Sequence, residues 1–181
     1  MPKGKGSAFE REISKLLGLW WTEGERDDVI WRTQNSGGRA TVRRKVGKTT
    51  AGQSSDLTFT DPIAKPLFDH CTIECKRGYK WSLLDLVDKP KQSASQMMEK
   101  WIDQVEKDRE ASFVSWALII AKRDKRLPVI IIPNELFNRI WDYYGKRPKI
   151  RLRFGCRGVR WVLRLDHFLD WAEPQFFTEV L

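Results

Sequence analysis

Cysteine and histidine are both scarce in this chain. Cys71, Cys75 and Cys156 form an odd set with no Cys-x-x-Cys pair. That excludes a readable disulfide framework or zinc ribbon and is the usage expected of reduced thiols in a cytosolic compartment. The two histidines, His70 and His167, have no second ligand at metal spacing, so structural roles are expected of them. No apolar run approaches the roughly 20 residues of a membrane-spanning helix. Residues 1–6 carry charge with no apolar run behind them, so no signal peptide is read there. Internal repeats and low-complexity linkers are absent. Acid is missing locally as well: residues 32–53 contain no Asp or Glu, and neither do residues 146–165.

Positive charge fills those two stretches. The first holds Arg32, Arg39, Arg43, Arg44, Lys45 and Lys48 among Gly, Thr and Ser, and the second holds eight Lys or Arg. Over all 181 residues, 33 basic and 24 acidic side chains leave a net charge of +9. A domain this basic, with its charge clustered, is built to meet a polyanion. The length is that of a single domain, residues 1–181, able to bury a core without disulfides or a structural metal. With 41% hydrophobic against 31% charged residues, the chain is expected to fold.

Phe9, Ile13, Leu16, Leu17 and Trp20 repeat at helical spacing and predict a helix over residues 7–21. Ser7 is its expected N-cap, with Glu10 completing a capping box. A strand at 29–34 ends at Asn35-Ser36-Gly37-Gly38, and a basic loop is expected over 37–54. Residues 56–60 and 71–76 alternate as strands, with Pro62 and Pro66 marking a turn between them. The second strand places Cys71, Ile73 and Cys75 on one side and Thr72, Glu74 and Lys76 on the other. A short helix is expected at 83–87, and a clearer one at 95–110 with Met98, Trp101, Ile102 and Val105 on its stripe. Apolar runs at 113–121 and 129–132 read as buried strands. Pro133 starts a helix whose Leu136, Phe137, Ile140, Trp141 and Tyr144 face the core. Residues 150–154 and 159–165 read as a hairpin. The order predicts an α/β fold: a central mixed sheet flanked by helices in three layers, with a C-terminal elaboration over about 133–181 that includes the β-hairpin.

The chemistry is read from Asp56 together with Glu74-Cys75-Lys76. Hydrolysis of a phosphodiester needs a divalent metal to polarise the phosphate and activate water. Mg²⁺ prefers one or two carboxylates and keeps several waters, and Mn²⁺ is expected to substitute. Asp56 and Glu74, on neighbouring strands, supply that donor set. Glu-x-Lys spacing puts a carboxylate and an ammonium on one strand face, about 7 Å apart along the chain. Lys76 can then orient water or stabilise developing charge. The Cys75 side chain points to the core, leaving its backbone carbonyl for the metal. This pattern alone is a weak signal, because a solvated strand face would look the same.

The ordered set Lys5-Gly6-Ser7-Ala8-Phe9-Glu10-Arg11-Glu12-Ile13, Arg32, Ser36-Gly37, Ser55-Asp56-Leu57 and Ile73-Glu74-Cys75-Lys76 resembles the archaeal-type Holliday junction resolvases of the PD-(D/E)xK nuclease superfamily. The likeness covers residues 5–76 and, more faintly, the strand ending Ile119-Ile120-Ala121-Lys122. It implies a restriction-endonuclease-like core. It further implies Glu10, Asp56 and Glu74 around the metal, Lys76 as catalytic lysine, and Arg32 and Ser36 at the scissile phosphate. It implies, too, a homodimer with two active sites on opposing strands of a four-way DNA junction. Arg39, Arg43, Arg44, Lys45, Lys48 and Lys122 are the expected further DNA contacts. The chain departs from the compact archaeal enzymes in having Ser55 where proline is usual, in a longer insertion at 38–54, and in a longer segment after Lys122. Such elaborated versions resemble phage-encoded members, which act in the host cytoplasm.

Three functions follow as expectations: a junction-resolving endonuclease, a nuclease of the same superfamily acting on flaps, nicked or duplex DNA, and a non-catalytic DNA-binding protein of the same fold. Plainer roles stand beside the sharp ones. Glu10 can serve as a capping carboxylate. Asp61, Asp69 and Asp85 read as turn or surface acids. Trp20, Trp101 and Trp141 read as core, and Trp81 as packing or base stacking.

Overall fold

The computed structural model describes residues 5–33, 55–78, 93–123, 125–145, 150–153 and 158–180. The expected basic loop at 37–54, the expected helix at 83–87, Asp85, Trp81 and Cys156 lie outside them.

Helix α1 (Lys5–Trp21) buries Phe9, Ile13, Leu17 and Trp21, one residue per turn at i, i+4 spacing. It begins two residues before Ser7, so Ser7 is not its N-cap, and Glu10 lies in the second turn with its carboxylate beside Arg32. Leu16, expected on the apolar face, is exposed because the buried stripe runs through Ile13, Leu17 and Trp21. A Cβ at Gly18 would come 3.1 Å from the Asp27 carbonyl carbon, so only glycine lets the following loop lie this close against the helix.

Strands β1 (Ile30–Arg32) and β2 (Leu57–Phe59) pair antiparallel. The turn expected at Pro62 and Pro66 is a 3₁₀ turn (Pro62–Ala64) followed by helix α2 (Lys65–His70). Each proline sits in a first turn, where the N–H it lacks has no intrahelical partner to lose. Asp61 caps the 3₁₀ turn by accepting from the Ile63 N–H at 3.0 Å. Strand β3 (Cys71–Arg77) then runs parallel to β4 (Trp116–Lys122), connected through helix α3 (Ser93–Ser112). Phe113, expected within the buried strand, is 90% exposed with φ of 57°. There the chain reverses out of α3, and the strand starts three residues later.

Strand β5 (Val129–Pro133) leads into helix α4 (Asn134–Tyr144), which buries Leu136, Phe137 and Ile140 and half-buries Trp141 and Tyr144. Strands β6 (Ile150–Arg153) and β7 (Val159–Arg164) form the expected hairpin. Strand β7 pairs with β5, so the sheet order is β3-β4-β5-β7-β6 and the hairpin is continuous with the sheet. The chain closes with helix α5 (Leu165–Leu169) and a π-helical turn (Phe176–Val180).

Two cores flank the sheet. The larger gathers Phe9, Ile13 and Leu17 of α1, Leu136 and Ile140 of α4, and Ile73, Leu118, Ile120, Ile130 and Leu163 of the sheet. The smaller gathers Met98, Trp101, Ile102 and Val105 of α3 with Ala117, Ile119, Ala121, Ile131 and Val162. The fold is therefore three layers with a mixed sheet in the middle, as the sequence predicts.

Candidate active site

The site lies at the sheet edge, where β1 and β2 are stitched to β3. The Ser55 hydroxyl donates to the Ile73 carbonyl at 2.8 Å and accepts from the Ile73 N–H at 2.9 Å, standing in for a rung of backbone ladder. The Asp56 N–H donates to the same carbonyl at 3.1 Å, and the Asp56 carbonyl accepts from the Thr33 N–H at 2.8 Å. Serine at the position before the aspartate thus does a positioning job that proline, which lacks a hydroxyl, would not. Asp56 Oδ2 accepts from the Cys75 N–H at 2.9 Å, which fixes the carboxylate against β3 between Glu74 and Lys76.

Glu74 and Lys76 point to the α3 side of the sheet and are only 5% and 9% exposed. This is not a solvated strand face. Lys76 Nζ donates to Glu74 Oε1 at 2.5 Å. Gln104 of α3 closes the arrangement: its amide nitrogen donates to Glu74 Oε1 and its oxygen accepts from Lys76, each at 3.0 Å. Sequence reasoning missed Gln104. It is an exposed residue 28 positions after Lys76. Its position three residues after Trp101 on the border of the helix stripe was the only signal.

Glu10 comes from α1 and is mostly buried, with Oε2 3.5 Å from Arg32 Nε. Burial, then the charge of Asp56, raises its carboxyl above the ordinary range, opposed by Arg32. Glu74 is pushed up to about 7, first by burial and then by Asp56, with Lys76 pulling the other way. Cys75 has a thiol raised far up by burial and then by Asp56, Glu74 and Glu10, so it is no nucleophile. The structure therefore brings Glu10, Arg32, Asp56, Glu74 and Lys76 into one electrostatic neighbourhood. Among the described residues, no three His, Cys, Asp or Glu side chains are gathered tightly enough to cage a metal ion.

The residues present nevertheless suit an open Mg²⁺ site. Three carboxylates share this neighbourhood with Lys76 and Arg32; burial first and then the charge of Asp56 raise Glu10 and Glu74, a penalty that a bound cation would relieve. Asp56 and Glu74 each use one oxygen in the contacts above, and two carboxylates completed by water are what Mg²⁺ takes. Lys122, at the end of β4, is bonded to Glu12 at 2.5 Å. Ser36, Arg39, Arg43, Arg44, Lys45 and Lys48 lie outside the described residues. His70 packs with its ring centroid 6.0 Å from that of Trp116, a structural placement.

Over residues 1–169 the chain matches the model of a family described as "Phage putative PDDEXK endonuclease". The chain belongs to this family. It is a nuclease of the PD-(D/E)xK type, with DNA as the substrate that such a family implies, and its three-layer core is the restriction-endonuclease-like fold. Nucleases of this type generally work with Mg²⁺ or Mn²⁺. No curated protein and no solved structure matches the chain. Among the described residues, no helix is long and apolar enough to cross a membrane.

Proposed function

We propose that this PD-(D/E)xK nuclease is a Mg²⁺-dependent endonuclease selective for branched DNA, which resolves four-way junctions by paired nicks as a homodimer. Mn²⁺ substitutes for Mg²⁺, and the chain acts as one nuclease domain. The observation that carries the chemical part is the buried Glu74–Lys76 pair, bridged by Gln104 and set beside the pinned carboxylate of Asp56. A protein that only binds DNA gains nothing from like-charged carboxylates under a helix, one of them raised to about 7.

Asp56 and Glu74, with Glu10 at their flank and the Cys75 carbonyl, would hold the ion. The chemistry such an ion would supply there is polarisation of the phosphate and a lowered pKa of water. Lys76 orients the attacking water or stabilises the charge that develops on the phosphate. Arg32 and Ser36 position the scissile phosphate. Arg39, Arg43, Arg44, Lys45, Lys48 and Lys122 grip the strand, each neutralised phosphate adding about −0.9 to the log–log salt slope on duplex DNA.

The preference for junctions rests on the likeness of residues 5–76 to the archaeal-type resolvases. Its test is cleavage of labelled four-way junctions, flaps, nicked duplex and linear duplex side by side with Mg²⁺. Symmetric nicking of the junction is expected. Linear duplex cut as readily as the junction removes the resolvase reading and leaves a nuclease for other DNA. A strict monomer by light scattering removes the paired-nick mechanism.

A further inference from the structure

We infer that Arg77 and Lys122 form a second phosphate-binding pair beside the active site, which Glu12 holds ready and gives up to DNA. The inference rests on the nuclease reading and extends it to a neighbouring phosphate of the bound strand. Arg77 directly follows Lys76 and lies opposite Lys122 in the parallel register of β3 and β4. Two cations side by side on strands about 4.8 Å apart repel each other unless an anion lies between them.

Glu12 supplies that anion from α1, two residues beyond Glu10. Its carboxylate is 2.5 Å from Lys122 Nζ and 3.5 Å from Arg77 Nη1. The trio keeps a net positive charge, and the acid is its most exposed member, at 44% against 27% for Arg77 and 20% for Lys122. An exposed carboxylate in such a bridge is weakly held. Arg77 is better fixed, its guanidinium 5.9 Å from the centre of the Phe9 ring. Arg77 is nevertheless under-satisfied, its contact to Glu12 being a long one at Nη1. A phosphate offers guanidinium two short charge-assisted bonds where Glu12 offers a single long one. The arrangement is a preformed anion seat with a carboxylate placeholder.

The test is equilibrium binding of a fluorescent 30-base-pair duplex by the uncleaving Asp56→Asn protein over a salt series. Arg77→Gln and Lys122→Gln are each expected to reduce the steepness of the salt slope by about 0.9. Glu12→Gln is expected to tighten binding about threefold or more, because an anion competing with phosphate is gone. Circular dichroism establishes that each variant is folded. Unchanged slopes in both cation variants, or binding weakened by Glu12→Gln, overturn the inference. Cleavage by the otherwise wild-type protein is scored separately: if it persists while the slopes do not move, this inference falls and the nuclease reading stands. If no variant, and not even wild type, cuts any DNA, the failure belongs to the nuclease reading.

Discussion

Strands β3 and β4 are parallel neighbours buried to nearly the same degree, yet they are made of different chemistry. On the α3 side β4 presents Ala117, Ile119 and Ala121, while β3 presents Thr72, Glu74 and Lys76 in matching register. The helix over them differs in the same way, offering Val105 and Ile102 to one strand and Gln104 to the other. On β4 the buried face serves packing. On β3 an ion pair has been taken out of water, and removing charge from water is expensive unless each charge is paired and hydrogen-bonded. Glu74 still sits near 7, so the pairing leaves a burial penalty in place, in keeping with the proposed role in cleavage.

Moving the charge one strand over should have the largest effect. Ile119→Glu buries a carboxylate opposite Glu74 with no lysine or glutamine to meet it, and a loss above about 4 kcal/mol is expected. Melting and soluble yield measure it, and a variant that melts like wild type would show that partners do not decide tolerance here. Lys76→Met is next. It leaves Glu74 buried without its cation and is expected to cost about 3–5 kcal/mol by denaturant unfolding at pH 8. Protonation of Glu74 should shrink that loss at pH 5.

The third effect is a pH dependence. The folded-state value of Glu74, about 7 against an ordinary 4.5, means the folded protein holds a proton that the unfolded chain releases. Its contribution to stability is present at low pH and is lost as pH rises from about 4.5 to 7. Metal-free wild type should therefore lose melting temperature across that window. Asp56→Asn should flatten the fall and melt a few degrees higher at pH 8, at roughly 2–4 °C per kcal/mol for a chain this long. An equal slope in both proteins would mean that Asp56 does not act on Glu74. The smallest effect is expected from Gln104→Leu. Losing two hydrogen bonds at a half-open site should cost under about 2 kcal/mol, while cleavage slows more than binding does. A change in binding alone would assign Gln104 to DNA contact.

Much of the scaffold was legible because periodicity reports burial. The stripe Met98, Trp101, Ile102 and Val105 and the apolar runs of β4 and β5 appear where their spacing puts them. Alternation along 71–76 located Glu74 and Lys76 on one face, but it cannot tell a solvated face from one roofed by a helix that starts seventeen residues after Lys76. Gln104 stayed invisible because its role depends on tertiary placement alone. Ser7 and Phe113 misled for a local reason: helix ends and reversals are decided by tertiary contacts of a few residues, and propensity is weak there. The grouping of Glu10 with Asp56 came from family likeness, and the structure gives it a cause in the packing of α1 across the edge of β3.

The charge buried on β3 is proposed to serve metal-dependent cleavage. The most direct measurement is Mg²⁺-dependent cleavage of DNA by Asp56→Asn beside wild type, with both proteins melted in the same buffer. The account predicts that wild type cuts, that the variant is slower by about 10³-fold or more, and that the variant melts no lower than wild type without metal. A variant that cuts at the wild-type rate would contradict it.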